Sequence, residues 1–307
     1  MGLSKEQTYE IFFMFLLAVL IFTYIKRGLS CATVVVTGFL AAVVLRKMAS
    51  LCHDANQIYR SNKILEKARV STEVSPSKVL CFMNYDTDQG YEKYTTAINE
   101  NYCAKHGYRF LRVHGYEKYP PWWRKVFILR DLFREGVSED YVMWLDSDAA
   151  FTGGTDLPVS KLFAINPRAF FFVGKDPTGT LRSMITDLGN AGVFAVRNDE
   201  RGRSFVETWA RLYDPKRWCP PGADCPVWSR NMDKRKWRTD GPWAGTTYEQ
   251  GAMNELMKMA GEGVAVYPEH VLSHRNAKYI GHLMGMGTGI RVRHFAEVCK
   301  RLGIQVS

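Results

Sequence analysis

The chain is 307 residues long with 46% hydrophobic and 13% aromatic content, enough to bury the core of one large α/β domain rather than two small ones. A formal net charge of +10 suits an anionic partner: nucleotide phosphates, nucleic acid or an acidic membrane face. The basic residues are scattered through helical patterns without a helix-turn-helix or finger signature, which argues against nucleic acid, and seven cysteines are too few for a disulfide scaffold.

The N-terminus carries two uncharged apolar stretches, residues 11–25 (IFFMFLLAVLIFTYI) and 29–45 (LSCATVVVTGFLAAVVL). Each falls somewhat short of the ~20 residues that cross a bilayer squarely. Lys26 and Arg27 separate them, and Arg46 and Lys47 close the second. Residues 1–50 are therefore expected to form a membrane anchor, either one uncleaved transmembrane helix or a two-helix hairpin. A cleaved signal peptide fits less well, because apolar sequence continues past any cleavage point. The bland alternative is a pair of buried core helices. Arg46, Lys47, Arg60, Lys63, Lys67 and Arg69 follow the anchor, and by the positive-inside rule they favour a cytosolic catalytic part. The chain also lacks an N-x-S/T sequon.

Residues 51–77 read as a stem and linker: a polar, helix-compatible run followed by the turn chemistry of TEVSPSK. From residue 78 to 307 apolar and helical patterns alternate. Strands are predicted at 79–84, 108–114, 141–145, 169–174, 193–196 and 264–267, and helices at 90–105, 123–135, 201–213 and 247–260. Such alternation predicts an α/β fold with a mixed, mainly parallel central sheet. In open sheets of this kind ligands sit at the carboxyl ends of the strands.

The segment YVMWLDSDAAFTGG at 141–154 ends an apolar strand in two aspartates. Unpaired buried carboxylates are costly, so such a pair normally has work to do. In extended chain Asp146 and Asp148 project to the same side, where two hard oxygen ligands suit Mn²⁺ or Mg²⁺ bridging the phosphates of a nucleotide. The bland alternative is a solvated turn. A haloacid dehalogenase-type phosphotransferase also uses D-x-D, but on its opening strand, and with Thr or Val where Ala150 stands here. A second pair, Asp86 and Asp88 in NYDTDQG, follows the first strand and is assigned at most nucleoside contact. Residues 218–243 look like an insertion: Cys219 and Cys225 would bridge in an oxidising compartment, and Trp218, Trp228, Trp237 and Trp243 suit either sugar stacking or a local apolar core.

YCAKHGYRFL at 102–111, WWRKVFILRDLF at 122–133, YVMWLDSDAAFT from 141, LGNAGVFAVRN at 188–198, YEQGAM at 248–253 and RHF at 293–295 resemble, in this order, glycosyltransferase family 34. That family holds fungal Golgi α-galactosyl- and α-mannosyltransferases and plant xyloglucan xylosyltransferases, and the resemblance covers residues 79–300. It implies a Rossmann-like GT-A domain in which Asp146, Asp148 and a late histidine, matched by His294, hold Mn²⁺ against the donor diphosphate, with Ser147 beside it. Asn190 and the Gly192 backbone would approach the donor sugar. Gln250 would lie by the anomeric carbon, with Glu249 on sugar or acceptor hydroxyls. Lys125 and Lys300 match the family's donor-binding lysines, Lys300 out of exact register. Tyr248 stands where the family has the first acid of D-D-Q.

The expected function is a membrane-anchored, metal-dependent, retaining glycosyltransferase that moves a hexose or pentose from a nucleotide diphosphate sugar, a UDP-sugar by resemblance, to a glycan or glycoconjugate. The alternatives are an inert membrane-bound sugar-binding protein of the same fold and a nucleotide-sugar hydrolase. The resemblance implies a Golgi or other endomembrane, type II protein with a lumenal domain; the charge pattern leaves open a hairpin anchor with a cytosolic one. A homodimer is compatible with the sequence but not required by it.

Overall fold

The computed structural model describes residues 19, 31–71, 77–84, 89–177, 188–225, 233 and 235–306. The chain divides into two compact units, Met1–Tyr59 with Thr178–Asp187, and Arg60–Pro177 with Leu188–Ser307. The described part of the first unit is essentially the opening of a 40-residue helix, α1 (Cys31–Val70), whose exposed side chains there include Phe39, Val44 and Met48. Among the described residues no helix is long and apolar enough to cross a membrane. The second predicted apolar stretch does not end at Arg46–Lys47 as a separate span, because the helix runs on through the predicted stem. The first, residues 11–25, lies outside the described residues apart from helical Val19.

In the second unit a six-stranded sheet forms the frame. Its strands are β1 (Val79–Asn84), β2 (Arg109–Val113), β3 (Tyr141–Leu145), β5 (Phe171–Lys175), β6 (Gly189–Arg197) and β9 (Val264–Tyr267), in the order β2-β1-β3-β6-β5-β9. All pairings are parallel except those on either side of β6, which runs against both β3 and β5. The sheet is thus mixed and mainly parallel. Both its faces are covered, which is why β1 and β3 are apolar or aromatic along their whole length except at Asn84, the last residue of β1. Val79, Cys81 and Met83 enter one core with Met143 and Leu145; Leu80 and Phe82 enter the other with Val142 and Trp144. Leu65 and Ala68, in the last turns of α1, belong to the first core, so the end of the predicted stem helix packs onto the domain.

Helices α2 (Glu92–Lys105), α3 (Pro121–Arg134), α5 (Glu200–Arg211) and α6 (Glu249–Ala260) fall where the 3.6-residue spacing predicts, and a short α4 (Val159–Ala164) precedes β5. A further helix, α8 (Thr288–Leu302), follows the short α7 (Glu269–Leu272) and closes the fold. It was not predicted, although Phe295, Val298, Cys299 and Leu302 recur at helical spacing.

Two short strands position the site. β4 (Ala149–Phe151) leaves β3 after one turn and pairs antiparallel with β10 (Ile280–His282), setting Ala149 opposite His282. Asn99 on α2 locks β4 to the domain: its Nδ2 donates to the Ala149 carbonyl at 3.0 Å and its Oδ1 accepts from the Phe151 N–H at 3.2 Å, all in a buried position. Replacing Asn99 by alanine strands a buried carbonyl and a buried N–H. Asn99→Ala is expected to cost about 2–4 kcal/mol, read as a lower denaturant midpoint at unchanged slope.

Candidate active site

At the carboxyl end of β3 the chain turns sharply. The Asp146 N–H donates to the Gly192 carbonyl on β6 at 2.8 Å, and the Ala149 N–H donates to the Asp146 carbonyl at 2.9 Å. Thr95 on α2 donates its hydroxyl to the Ser147 carbonyl at 2.8 Å and steadies the turn from below. Asp146 and Asp148 end on one side of this turn. The β4–β10 pairing then brings in His282, whose Nε2 lies 3.2 Å from Asp148 Oδ1 and 3.6 Å from Asp146 Oδ2. One ligand atom from each of the three residues lies within 4.8 Å of the others. Gly192 makes room for the imidazole, since a Cβ there would sit 2.0 Å from His282 Cε1.

The donor set fits a hard divalent cation. Ligand atoms held at about 2.1 Å on an octahedral ion stand roughly 3 Å apart in neighbouring positions, close to the separations of His282 from the two carboxylates. Two carboxylates and an imidazole match Mn²⁺ or Mg²⁺ chemistry. Burial favours neutral His282, but Asp148 and then Asp146 outweigh it and push its pKa up. Burial also penalises charge on Asp148, yet His282 and then Arg291 hold its carboxyl below the usual range. Arg291 on α8 reaches Asp148 Oδ2 with Nη2 at 2.8 Å, donates from Nε to the Leu283 carbonyl at 3.1 Å and lies over the Tyr91 ring.

Beneath Asp146 sits Lys125, buried on α3. Its ammonium donates to Asp146 Oδ1 at 2.8 Å and to the Ala191 carbonyl at 3.0 Å, and lies 3.5 Å from Glu249 Oε1. An ammonium has three donors, and these partners take all three. Trp144 Nε1 adds a fourth restraint, donating to Asp146 Oδ1 at 2.7 Å. Beside this lies a polar chain: Asn190 Nδ2 donates to Asp176 Oδ1 and Gln250 Nε2 to Asp176 Oδ2, each at 3.2 Å. Gln250 Oε1 accepts from the Ala191 N–H, and Asn190 Oδ1 from the Gly192 N–H. Burial raises the Asp176 carboxyl above its ordinary value despite these donors.

The structure therefore gathers Asp146, Ser147, Asp148, Lys125, Asn190, Gly192, Glu249 and Gln250 at one place. It does not bring in His294 or Lys300. His294 sits in the middle of α8, where Phe295 takes the core position, and it lines a different cavity with Lys278 and Arg301. His282 stands in the place expected of it. Lys300 is exposed nine residues beyond Arg291 on the same helix, roughly 13 Å further along its axis. Glu249 is buried against Lys125, so in this arrangement it braces the lysine rather than meeting a hydroxyl. Asp86, Asp88 and Trp228 lie outside the described residues. Three site residues escaped the sequence reading. Asp176 follows β5 directly and was findable by the strand-end rule, and His282 closes a short apolar run. Arg291 carried no signal.

In the predicted insertion β7 (Trp218–Cys219) pairs with β8 (Arg238–Thr239), and Cys219 is bonded to Cys225. Trp218 is buried, whereas Trp243 is 71% exposed with its ring 5.0 Å from that of Tyr248, the residue just before Glu249 and Gln250. Trp122 touches both, so apolar packing and an open aromatic face coexist here.

This mixed, mainly parallel sheet, with a D-x-D turn at the carboxyl end of its third strand, is similar in fold to glycosyltransferases of the GT-A type. A glycosyltransferase involved in the glycosylation of the major capsid of PBCV-1 is similar, with a TM-score of 0.51 at 18% identity over 72% of this chain and 100% of that one. The galactosyltransferase LgtC, solved with donor and acceptor sugar analogs, is similar at a TM-score of 0.41 and 12% identity, over 75% of this chain and 97% of that one. No curated protein sequence matches the chain. Residues 77–164 match the model of the galactosyl transferase GMA12/MNN10 family.

Burial pushes the Glu249 carboxyl up from 4.5 to about 7, with Lys125 opposing the rise. The native protein therefore holds a proton that the unfolded chain releases between those values. Stability falls as pH rises through this window, by roughly 3 kcal/mol in all. Glu249→Gln is expected to remove that slope, so denaturant midpoints taken between pH 5 and pH 8 should change less in the variant than in the parent chain.

Proposed function

We propose that this glycosyltransferase is metal-dependent and retaining, and that it moves a hexose or pentose from a nucleotide diphosphate sugar, a UDP-sugar by family resemblance, to a glycan or glycoconjugate as an α-linkage. The observation that carries the reading is the convergence of Asp146, Asp148 and His282 within 4.8 Å. Those residues would hold Mn²⁺ or Mg²⁺, which when bound supplies the charge that neutralises the departing diphosphate. Arg291, beside Asp148, adds a fixed cation where the family's late lysine would stand. Lys125 aims Asp146 through their 2.8 Å contact. Asn190, Asp176 and Gln250 line the place of the donor sugar. The acceptor hydroxyl attacks the anomeric carbon on the face the diphosphate leaves: the carbon–oxygen bond to phosphate breaks, the new glycosidic bond forms, and the hydroxyl proton passes to the leaving phosphate oxygen.

Trp243, exposed beside Tyr248, suits stacking on the apolar face of an acceptor ring. The membrane anchor is proposed over residues 1–50, on the apolar run at 11–25 and the exposed apolar side chains of α1. The Cys219–Cys225 bond supports a type II arrangement with the domain in an oxidising endomembrane lumen such as the Golgi. The cations after the anchor favour the opposite, cytosolic side. The covalent pairing outweighs the charge pattern, because this charge rule counts short loops near the membrane and large domains cross it largely regardless of charge.

The test is release of nucleotide from a panel of UDP- and GDP-sugars by the full chain in detergent, with Mn²⁺ and a mixed glycan acceptor. One donor is expected to turn over, on the order of 10²-fold more slowly in Asp148→Asn and in His282→Ala, and at the parent rate in His294→Ala. Trp243→Ala is expected to raise the acceptor KM about threefold to tenfold at unchanged donor KM. Turnover indifferent to acceptor would mark a hydrolase. Sugar binding without turnover by folded protein would mark an inert sugar-binding protein.

A further inference from the structure

The cavity that His294 lines is separate from the D-x-D site. It measures about 520 Å³ and is walled by the Thr152–Asp156 turn, the 275–278 loop and the second half of α8. The β4–β10 ribbon joins the two places. His282 closes one end of it, while Thr152 and Lys278 lie past the other, roughly 10 Å away on strand spacing.

Its charge is one-sided. Arg275, Lys278 and Arg301 line it against a single carboxylate, Asp156. None of the three cations has a carboxylate oxygen within 4.0 Å among the described residues. Lys278 Nζ reaches only the Asn62 amide oxygen at 2.6 Å, and Arg301 donates to the Thr152 carbonyl. Neutral partners position these cations without cancelling them. His294 adds a buried Nε2 that no protein atom bonds, and burial keeps this imidazole on the neutral side, lowering its pKa despite Glu297. On the turn wall Gly153 lies so close to the opposite loop that a Cβ would sit 2.6 Å from the Lys278 carbonyl oxygen, which lets the two loops close around the cavity.

Several cations lining one cavity with a single carboxylate against them are what a phosphate group recruits, because its oxygens accept several charge-assisted hydrogen bonds at once. We infer that this cavity binds a phosphate group, as the free anion or as the headgroup of a phospholipid, at a site distinct from the donor diphosphate. Arg275 and Lys278 supply the charge from one wall and Arg301 from the other, where His294 also lines the cavity one heptad before Arg301 on the same helix. The cavity has no part in holding the metal, so occupancy by phosphate survives loss of the D-x-D site.

The test is calorimetry on the full chain in detergent, with inorganic phosphate and, separately, glycerol 3-phosphate as a headgroup without acyl chains. The Asp148→Asn protein serves as the background in which the donor site is disabled. Saturable binding of inorganic phosphate is expected there, about tenfold or more weaker in Arg275→Gln/Lys278→Gln, a pair of changes at the cavity rim that leaves the core untouched. His294→Ala is expected to weaken it as well. Tighter binding of glycerol 3-phosphate than of phosphate would identify a lipid headgroup as the source, and equal or weaker binding the free anion. Absence of saturable binding by either probe, or binding unchanged in the Arg275/Lys278 double variant, would overturn the inference.

Discussion

A buried ammonium under an aspartate holds the centre of this molecule together. Lys125 stands on α3, but its three partners come from the turn after β3, from β6 and from the first turn of α6. A buried cation is tolerated only when it is fully paired, and removing one partner of such a group strands the rest. The ammonium therefore ties four elements into one electrostatic unit, and the orientation of Asp146 is a consequence of it. The indole N–H of Trp144 adds to that constraint from the same strand.

From there the site extends outward by backbone pairing. The Ala149–His282 register is set by the β4–β10 ribbon, and Asn99 holds the ribbon to α2. The side chains of the candidate metal site are thus placed by main-chain hydrogen bonds, which are short and directional, rather than by long flexible stems. Arg291 already offsets the charge of Asp148 in the protein itself, and His282 lies against the same carboxylate. Two carboxylates can then lie side by side without the repulsion that would splay them, so the ligand geometry is preorganised before any ion arrives.

Much of this was legible in the sequence because the sheet is buried on both faces. Continuous apolar runs such as VLCFMN and YVMWL mark their own boundaries, and both coincide with strands. The aspartates were findable because they sit at a strand end, whereas Lys125, Asn190 and Gln250 were reached through the family resemblance. The third metal-ligand candidate was not. His282 ends a three-residue strand in a Gly-rich segment, too short for any periodicity, whereas His294 sits before a phenylalanine in a way that imitates the family's pattern. The helical spacing of 288–302 carried the contrary signal, since a residue in mid-helix next to a core phenylalanine is turned away from a strand-end site. Arg291 meets Asp148 only through tertiary packing, which no local pattern encodes.

The exposed indole of Trp243 stands on a segment apart from the sheet that carries the carboxylates. The Cys219–Cys225 bond and the two-residue β7–β8 pairing brace that segment on its own, with no strand of the central sheet between them. With Trp243 in the proposed acceptor role, such a division would let lineage change act on the two halves of the reaction separately. Loop length and aromatic content can drift to suit a new glycan while the buried lysine and its acids stay fixed. A transferase built this way can diversify its products by remodelling one surface loop, with the chemistry of sugar release inherited intact.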